Sequence, residues 1–211
     1  MNVPDKKPRR PGRPPKEAAG YSETRESLLR AGVEVLTEKG FSSTGIDEIL
    51  RRVGVPKGSF YHFFGSKEAF GAELVKRYAS YFERKLDRFL LDTTLSPLQR
   101  FRAFMNDARS GMARHEYKRG CLVGNLGQEM GAIPESFREQ LKSVFHDWQS
   151  RVASCLEEAK ISGEISAEAD CRQLAAIFWI GWEGAILRSK LEGSPDALDL
   201  FANFFLDGLR R

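Results

Sequence analysis

The chain has 211 residues, 41% of them hydrophobic, with no run of about 18 apolar residues to span a membrane and no apolar secretory signal, so we expect a cytoplasmic protein. Up to Lys67 the chain has 13 basic and 8 acidic residues, and after Lys67 it has 20 basic and 21 acidic residues. This distribution predicts that the front part alone binds a polyanion, either a nucleic acid or an anionic membrane surface. Three cysteines without CxxC spacing and three histidines without an HExxH pair predict no disulfide framework, no metal site and no cofactor.

Residues 1–20 hold five of the nine prolines and six basic residues, and they are too poor in apolar groups to offset the entropy of ordering. We therefore predict a disordered basic arm. Arg10, Gly12 and Arg13 lie there in the run RRPGRPPK, which looks like an AT-hook, an extended segment that binds a narrow A·T-rich minor groove. A generic basic tail that adds only salt-sensitive affinity explains the run equally well.

Apolar residues recur at three- and four-residue spacing from Tyr21 onward and predict a first helix that stops at Gly40. A second helix is predicted to start at Thr44, because Thr-Gly-Ile-Asp resembles a capping box with Asp in place of Glu or Gln. This helix should end near Gly54.

A third, very short helix follows. Pro56 suits a first helical position, and the segment from Lys57 to Phe63 holds barely two turns before Gly65. Ser66 can cap a long fourth helix, whose apolar and aromatic positions keep helical spacing as far as a loop at residues 92–97. This helix would join the front of the chain to the back.

The remainder of the chain is predicted to be helical at residues 98–117, 134–162, 167–191 and 195–210. Four glycines between residues 120 and 131 indicate an irregular segment or a short broken helix. The sequence contains neither an alternating strand pattern nor a repeat of about 20 to 50 residues. The predicted fold class is all-α, with about nine helices.

Two short helices joined by a tight turn at Gly54 are what a helix-turn-helix requires, because its second helix must enter a major groove about 12 Å wide. The two short helices and their flanks carry small, basic or hydrogen-bonding residues that are candidate contacts to phosphates and base edges: Thr44, Lys57, Gly58, Ser59, Tyr61, His62 and Lys67. Each one alone is as well explained by a solvated face or, for Tyr61 and Phe60, by core packing.

Taken together, the run GVPKGSFYHFFGSK at residues 54–67, preceded by FSSTGIDEI at residues 41–49, resembles the DNA-binding domain of the TetR family. The resemblance implies that the helix-turn-helix residues above, with the arm, contact operator DNA, and that Phe60 and Phe63 pack against the first and fourth helices. It also implies a repressor with a DNA-binding domain at residues 21–67 and a ligand-binding and dimerisation domain at 68–211.

The last two predicted helices carry more apolar side chains than a domain of this size should hide: Ala175, Phe178, Trp179, Trp182, Ile186, Leu198, Phe201, Phe204, Phe205 and Leu209. In TetR-like proteins the corresponding helices form a four-helix bundle with a second chain. The resemblance therefore implies a homodimer on a pseudo-palindromic operator, with half-sites about 34 to 36 Å apart.

Residues 120–131 and 178–187 resemble those of family members that respond to acrylate and, less closely, to reactive electrophiles. The resemblance implies as inducer acrylate, a related small unsaturated acid or thioester, or an electrophile. The candidate ligand contacts are Cys121, Asn125, Trp179, Trp182 and Arg188.

Cys121 has two interpretations. A thiol near the start of a helical turn, with Lys118, Arg119 and His115 close in sequence, could have a lowered pKa and add to an electron-poor double bond. The alternative is a small buried hydrophobe, the usual state of a free cysteine. Trp179 and Trp182 are likewise more typical of a core or a dimer interface than of a pocket wall.

Other functional classes have less support in the sequence. An enzyme would need an aligned nucleophile and base, and Cys121 with His115, six residues apart, is the single candidate pair. A DNA-coating protein would bind with little sequence preference and ignore metabolites. An activator stays open, because the sequence indicates how DNA is held and not what the bound protein does to polymerase.

Overall fold

The computed structural model describes residues 18–209, with side chains from Ser22 onward, and in this range it contains nine α-helices and no strand. The helices are α1 (Ala18–Lys39), α2 (Ile46–Val53), α3 (Lys57–Phe64), α4 (Lys67–Leu90), α5 (Pro97–Ala113), α6 (Leu122–Gln128), α7 (Ser136–Ile161), α8 (Cys171–Glu192) and α9 (Asp196–Leu209). The all-α prediction is confirmed. Helix α1 begins three residues inside the predicted arm, and Arg10, Gly12 and Arg13 lie outside the described residues.

The turn between α2 and α3 is as tight as a helix-turn-helix needs. Gly54 ends α2 in the left-handed conformation, with φ of 72°, and its N–H donates to the Leu50 carbonyl over 2.8 Å. That backbone conformation strains any residue with a Cβ, which explains the glycine. Pro56 is the N-cap of α3, one position earlier than predicted, and only three residues separate the two helices.

Thr44 does not cap α2, which corrects the predicted capping box. The N-cap is Gly45, without a side-chain bond, and the Thr44 hydroxyl instead donates to the Gly40 carbonyl over 2.6 Å. The side chain is only 2% exposed. Its hydroxyl closes the turn between α1 and α2 and faces inward, away from any phosphate.

The aromatic core of the front domain also differs by one residue from the prediction. Phe60 and Phe64 are buried and their ring centroids lie 5.0 and 4.7 Å from that of Phe70 on α4, whereas Phe63 is only partly buried. Residues four apart share a helix face, so Phe64 rather than Phe63 joins Phe60 in anchoring α3.

Helix α4 belongs to both halves of the chain. The Ser66 hydroxyl accepts from the Ala69 N–H over 3.0 Å, as predicted for its cap. The 24 residues span about 36 Å at 1.5 Å per residue. Phe70 lies under α3, and Phe82 lies in the rear core, where its ring centroid is 4.4 Å from that of Trp148.

The back half departs from the predicted boundaries at one loop. Helix α5 stops at Ala113, four residues before its predicted end, because Glu116 and Tyr117 take φ values of 51° and 57°. Left-handed residues cannot continue an α-helix. The glycine-rich segment that follows forms a short helix, α6.

Most of the apolar side chains predicted to need a second chain are buried within this one. Among them Phe204 alone is exposed, since the others pack at least partly against the core. The exposed apolar surface of α8 and α9 consists instead of Ile177, Ile180, Leu187, Leu191, Leu200 and Phe204. Within the described residues, no helix has the length and hydropathy needed to cross a membrane.

Candidate DNA interface and ligand cavity

Helix α3 presents most of the predicted DNA-contacting residues on one open surface. Lys57, Gly58, Tyr61 and His62 are exposed and Ser59 is half-buried. A Cβ at Gly58 would meet nothing within 4 Å, so another backbone can approach this position closely. The arrangement matches the chemistry of a reading helix, in which side-chain donors surround a small first turn.

Two of the predicted contacts have intramolecular partners. Lys57 Nζ lies 3.2 Å from Asp47 Oδ1, a pair in which both side chains are largely exposed. Such a pair contributes about 0 to 1 kcal/mol and can exchange for a phosphate. Lys67 Nζ lies 4.5 Å from the centre of the Phe41 ring, and partial burial lowers the pKa of Lys67 while the negative charge of Glu129 opposes this.

Behind the front domain lies a cavity of about 230 Å³. Its walls come from α1, α4, α5, the segment 114–121 and α8, and they include Val33, Tyr78, Phe82, Met112, His115, Cys121, Trp182 and Glu183. The cavity is mostly apolar with a few polar groups, as small-molecule sites usually are. It brings together Cys121 and His115, which are six residues apart in the sequence, and Trp182 of α8.

Cys121 is the N-cap of α6, and its Sγ accepts from the Gly124 N–H over 3.4 Å. Burial, reinforced by the negative charge of Glu183, raises the pKa of the Cys121 thiol well above its usual value. Of the two interpretations of Cys121, the structure favours the buried thiol over the thiol with a lowered pKa. The nearby cations point elsewhere, because Lys118 pairs with Glu116 and Arg119 pairs with Glu38 at 3.0 Å.

Sequence reasoning missed two residues of this cavity, Glu183 and Tyr78. Burial raises the pKa of Glu183 to about 7, and a hydrogen bond from Cys121 partly opposes that rise. The pKa of Tyr78 is raised by burial and by the negative charges of Cys121 and Glu183. Glu183 Oε1 is buried without a hydrogen-bond partner among the described residues.

Glycines on and before α6 make room for two charged side chains of α8. A Cβ at Gly124 would overlap Glu183 Oε2, and one at Gly120 would lie 2.7 Å from Lys190 Cδ. The signal for Glu183 was present in the sequence. It is the only acid in FWIGWEGAIL, residues 178–187.

The other predicted ligand contacts have different roles. Trp179 belongs to the core, with its ring centroid 4.9 Å from that of Trp148. Asn125 uses its side-chain amide to donate to the Leu36 and Thr37 carbonyls at 3.0 Å, and it does not line the cavity. Arg188 is largely exposed and pairs with Glu192 beside the apolar surface of α8 and α9. The structure thus removes Trp179, Asn125 and Arg188 from the cavity wall.

Two family models match the chain. One, described as bacterial regulatory proteins, tetR family, matches residues 28–74 and so contains α2, α3 and the start of α4. The other, described as tetracyclin repressor-like, C-terminal domain, matches residues 97–205, which contain α5 to α8, most of α9 and much of the cavity wall.

Named relatives agree over nearly the whole length. The transcriptional regulator AcuR of Cereibacter sphaeroides is 56% identical over 199 residues, which is 94% of this chain and 90% of the relative. The HTH-type transcriptional repressor DhaR of Mycobacterium sp. is 30% identical over 88% of this chain and 91% of its own, and NemR of Escherichia coli, also an HTH-type transcriptional repressor, is 28% identical over 84% and 89%.

Solved structures give the same result. A regulatory protein TetR from Rhodobacter sphaeroides has a TM-score of 0.86 and 55% identity, covering 87% of this chain and 97% of that one. The reduced form of Escherichia coli NemR has a TM-score of 0.79 and 27% identity, covering 87% and 95%. The expectation of a transcriptional regulator rather than an enzyme is confirmed.

Proposed function

The chain belongs to the TetR family of bacterial transcriptional regulators, and from this premise we propose that it is a homodimeric repressor released from its operator by a small ligand in the cavity. Repression is supported by DhaR and NemR, two relatives named as repressors. Its place of action would be the cytoplasm, with the operator.

The single observation that carries the proposal is the path of α4. This one helix has Phe70 under the reading helix and Tyr78 and Phe82 in the cavity wall. Eight residues separate Phe70 from Tyr78, a rise of about 12 Å. A ligand that favours another position of Tyr78 would therefore move Phe70, which supports α3. In a dimer this would change the distance between the two α3 helices.

On DNA, we expect contacts to phosphates and base edges from Lys57, Gly58, Ser59, Tyr61 and His62. The Lys67 side chain would move away from the Phe41 ring and bind a flanking phosphate. The arm would add Arg10, Gly12 and Arg13 in the minor groove. Phosphate contacts supply affinity and base contacts supply specificity, so the arm should affect salt-sensitive binding to all sequences more than operator choice.

The second chain would cover the exposed apolar surface of α8 and α9. A groove there is lined by Gly181, Gly184 and Ala185 beside Leu200 and Phe204. Small residues let two helices approach closely, and Leu200 and Phe204 are 73% and 76% exposed. Apolar surface of this kind, left open on one chain, is typical of a protein interface.

For the inducer we propose acrylate or a related small unsaturated acid, on the resemblance described above. The volume of the cavity supports a small molecule over a large thioester, because about 230 Å³ is below the roughly 300 to 1,000 Å³ of sites that hold drug-sized ligands. A coupling free energy of about 1 to 3 kcal/mol would weaken operator binding roughly 5- to 150-fold.

The proposal is tested by fluorescence anisotropy of the full chain on its own upstream intergenic DNA, with and without acrylate, for the native protein and Cys121→Ser. Release of both proteins supports a reversible sensor. Release of the native protein alone favours the second candidate, an electrophile sensor in which the Cys121 thiol adds to the double bond; the position of Cys121 in the cavity wall is the observation in favour of it. Tight operator binding without release refutes the choice of inducer, and binding to all DNA alike would indicate a DNA-coating protein.

A further inference from the structure

Glu183 is a half-buried acid with one buried carboxylate oxygen, Oε1, and the fold gives it no compensating charge. No salt bridge or side-chain hydrogen bond to a cation includes Glu183 within the described part of the chain, and its Oε1 has no partner at all. Lys190, two turns later on α8, does not pair with Glu183. Its Nζ instead donates to the carbonyl oxygens of Thr37 and Glu38, each 3.3 Å away. A buried carboxylate in such surroundings is costly, and protonation is its usual relief.

The neighbours of Glu183 point to a ligand rather than to a structural role. Cys121 from α6 and Tyr78 from α4 face it, and all three line the same cavity. Trp182, the preceding residue on α8, also lines the cavity, and its Nε1–H has no partner either. Buried polar groups normally find hydrogen-bond partners, and the Trp148 and Trp179 indoles of the core also lack one, so it is the unpaired carboxylate oxygen of Glu183 at the cavity wall that points to an occupant.

We infer that Glu183 is the ligand-recognition group of the cavity: in its protonated form it donates a hydrogen bond to a carboxylate or carbonyl oxygen of a small acyl inducer. The inference rests on the proposed function, because it requires that the cavity holds the inducer. An ionised Glu183 disfavours an anionic inducer in this cavity, since two like charges would lie close together at its wall. Binding of an acid anion is therefore coupled to the uptake of one proton whenever Glu183 is ionised in the free protein.

Two of the cationic side chains in the cavity wall are already paired with carboxylates. Lys85 lies 2.7 Å from Asp107, and Arg119 pairs with Glu38 and Glu34. Lys190, outside the cavity wall, contacts the end of α1. Arg114 and His115 are exposed residues that also line the cavity. His115 is the one imidazole among the lining residues, so it is varied separately from Glu183.

The inference is tested by isothermal titration calorimetry of the full chain with sodium acrylate from pH 6 to pH 8.5, in two buffers of different ionisation enthalpy that together count the protons taken up. For the native protein we expect a constant Kd below about pH 7 and a loss of affinity that approaches tenfold per pH unit above it, with proton uptake rising toward one per site.

Three variants make the result specific. Glu183→Gln keeps a donor and has no charge, so it should bind acrylate without pH dependence and without proton uptake, close to the native affinity at pH 6. His115→Gln and Glu139→Gln, the latter an exposed acid on α7 that pairs only with Lys142, should keep the native pH profile.

Retention of the pH profile by Glu183→Gln, or its loss in His115→Gln, would overturn the inference while leaving acrylate as inducer. Native binding at pH 8 without proton uptake would overturn it equally. An absence of acrylate binding at every pH would overturn the proposed inducer, and the inference with it.

Discussion

Replacing Glu183 with glutamine should stabilise the protein at high pH and not at low pH, even without ligand. Burial raises the pKa of Glu183 from 4.5 to about 7, so the native state binds more protons than the unfolded state between these values. The contribution of Glu183 to stability is therefore greatest below about pH 4.5, falls as pH rises toward 7, and stays reduced above it. The difference between pKa values of 4.5 and about 7 corresponds to at most about 3 to 4 kcal/mol.

The assay is urea unfolding of the native protein and Glu183→Gln at pH 5 and pH 8, at one fixed protein concentration because dimerisation shifts apparent stability. We expect a small difference in the free energy of unfolding at pH 5 and a gain of about 2 to 3 kcal/mol for the variant at pH 8. Cys121 and Tyr78 do not alter this result, because their raised pKa values keep both groups neutral in this range. An equal difference at both pH values would refute the account of a buried, unpaired carboxyl.

Three further predictions concern the reader and the dimer. Phe64→Ala should lower the free energy of unfolding by about 3 to 5 kcal/mol and Phe63→Ala by clearly less, since only the former ring is buried against Phe70; urea titrations compare them, and equal losses would contradict the assignment of the anchor. Phe204→Asp should convert the dimer to a monomer in sedimentation velocity, whereas a stable dimer would place the interface elsewhere. Lys57→Ala should weaken operator binding and reduce the slope of log K against log salt by about 1 in anisotropy titrations; an unchanged slope would mean that Lys57 contacts no phosphate.

The positions of the helices could be predicted because local signals determine them. Gly40, Gly54 and Gly65 all take positive φ values and end helices, and Ser66 caps α4 as expected. Thr44 was wrongly predicted to cap α2 because the local sequence offers its hydroxyl two hydrogen-bond partners, a following N–H and the preceding Gly40 carbonyl. The choice between them depends on how α1 and α2 pack, which the local sequence does not specify.

The cavity was the less predictable part, because its chemistry arises between distant segments. Sequence neighbours suggested cations around Cys121, yet those side chains turn outward to Glu116 and Glu38, and the group that governs the thiol is Glu183 on α8. Electrostatic effects act over a few ångströms of space and not along the chain. The informative signal was Glu183 as the single acid of the apolar run at residues 178–187, and the composition of that run was enough to find it.

The segment that carries Cys121 is bound to the front domain by several hydrogen bonds. Asn125 donates to the carbonyls of Leu36 and Thr37, and Gly120 N–H donates to the Thr37 carbonyl over 3.0 Å. One turn later Glu129 accepts from the N–H groups of Phe41 and Ser42. These bonds satisfy the free carbonyls at the end of α1 and hold the turn that Thr44 closes. A ligand at Cys121 and Glu183 would therefore lie against α4 and against the segment that leads into α6. Both reach the domain that carries α3, so a displacement of either would move the support of α3. The coupling free energies through α4 and through α6 add up only if the two elements move independently. Both contact α1, so a concerted shift of the whole front domain is the simpler response to a ligand.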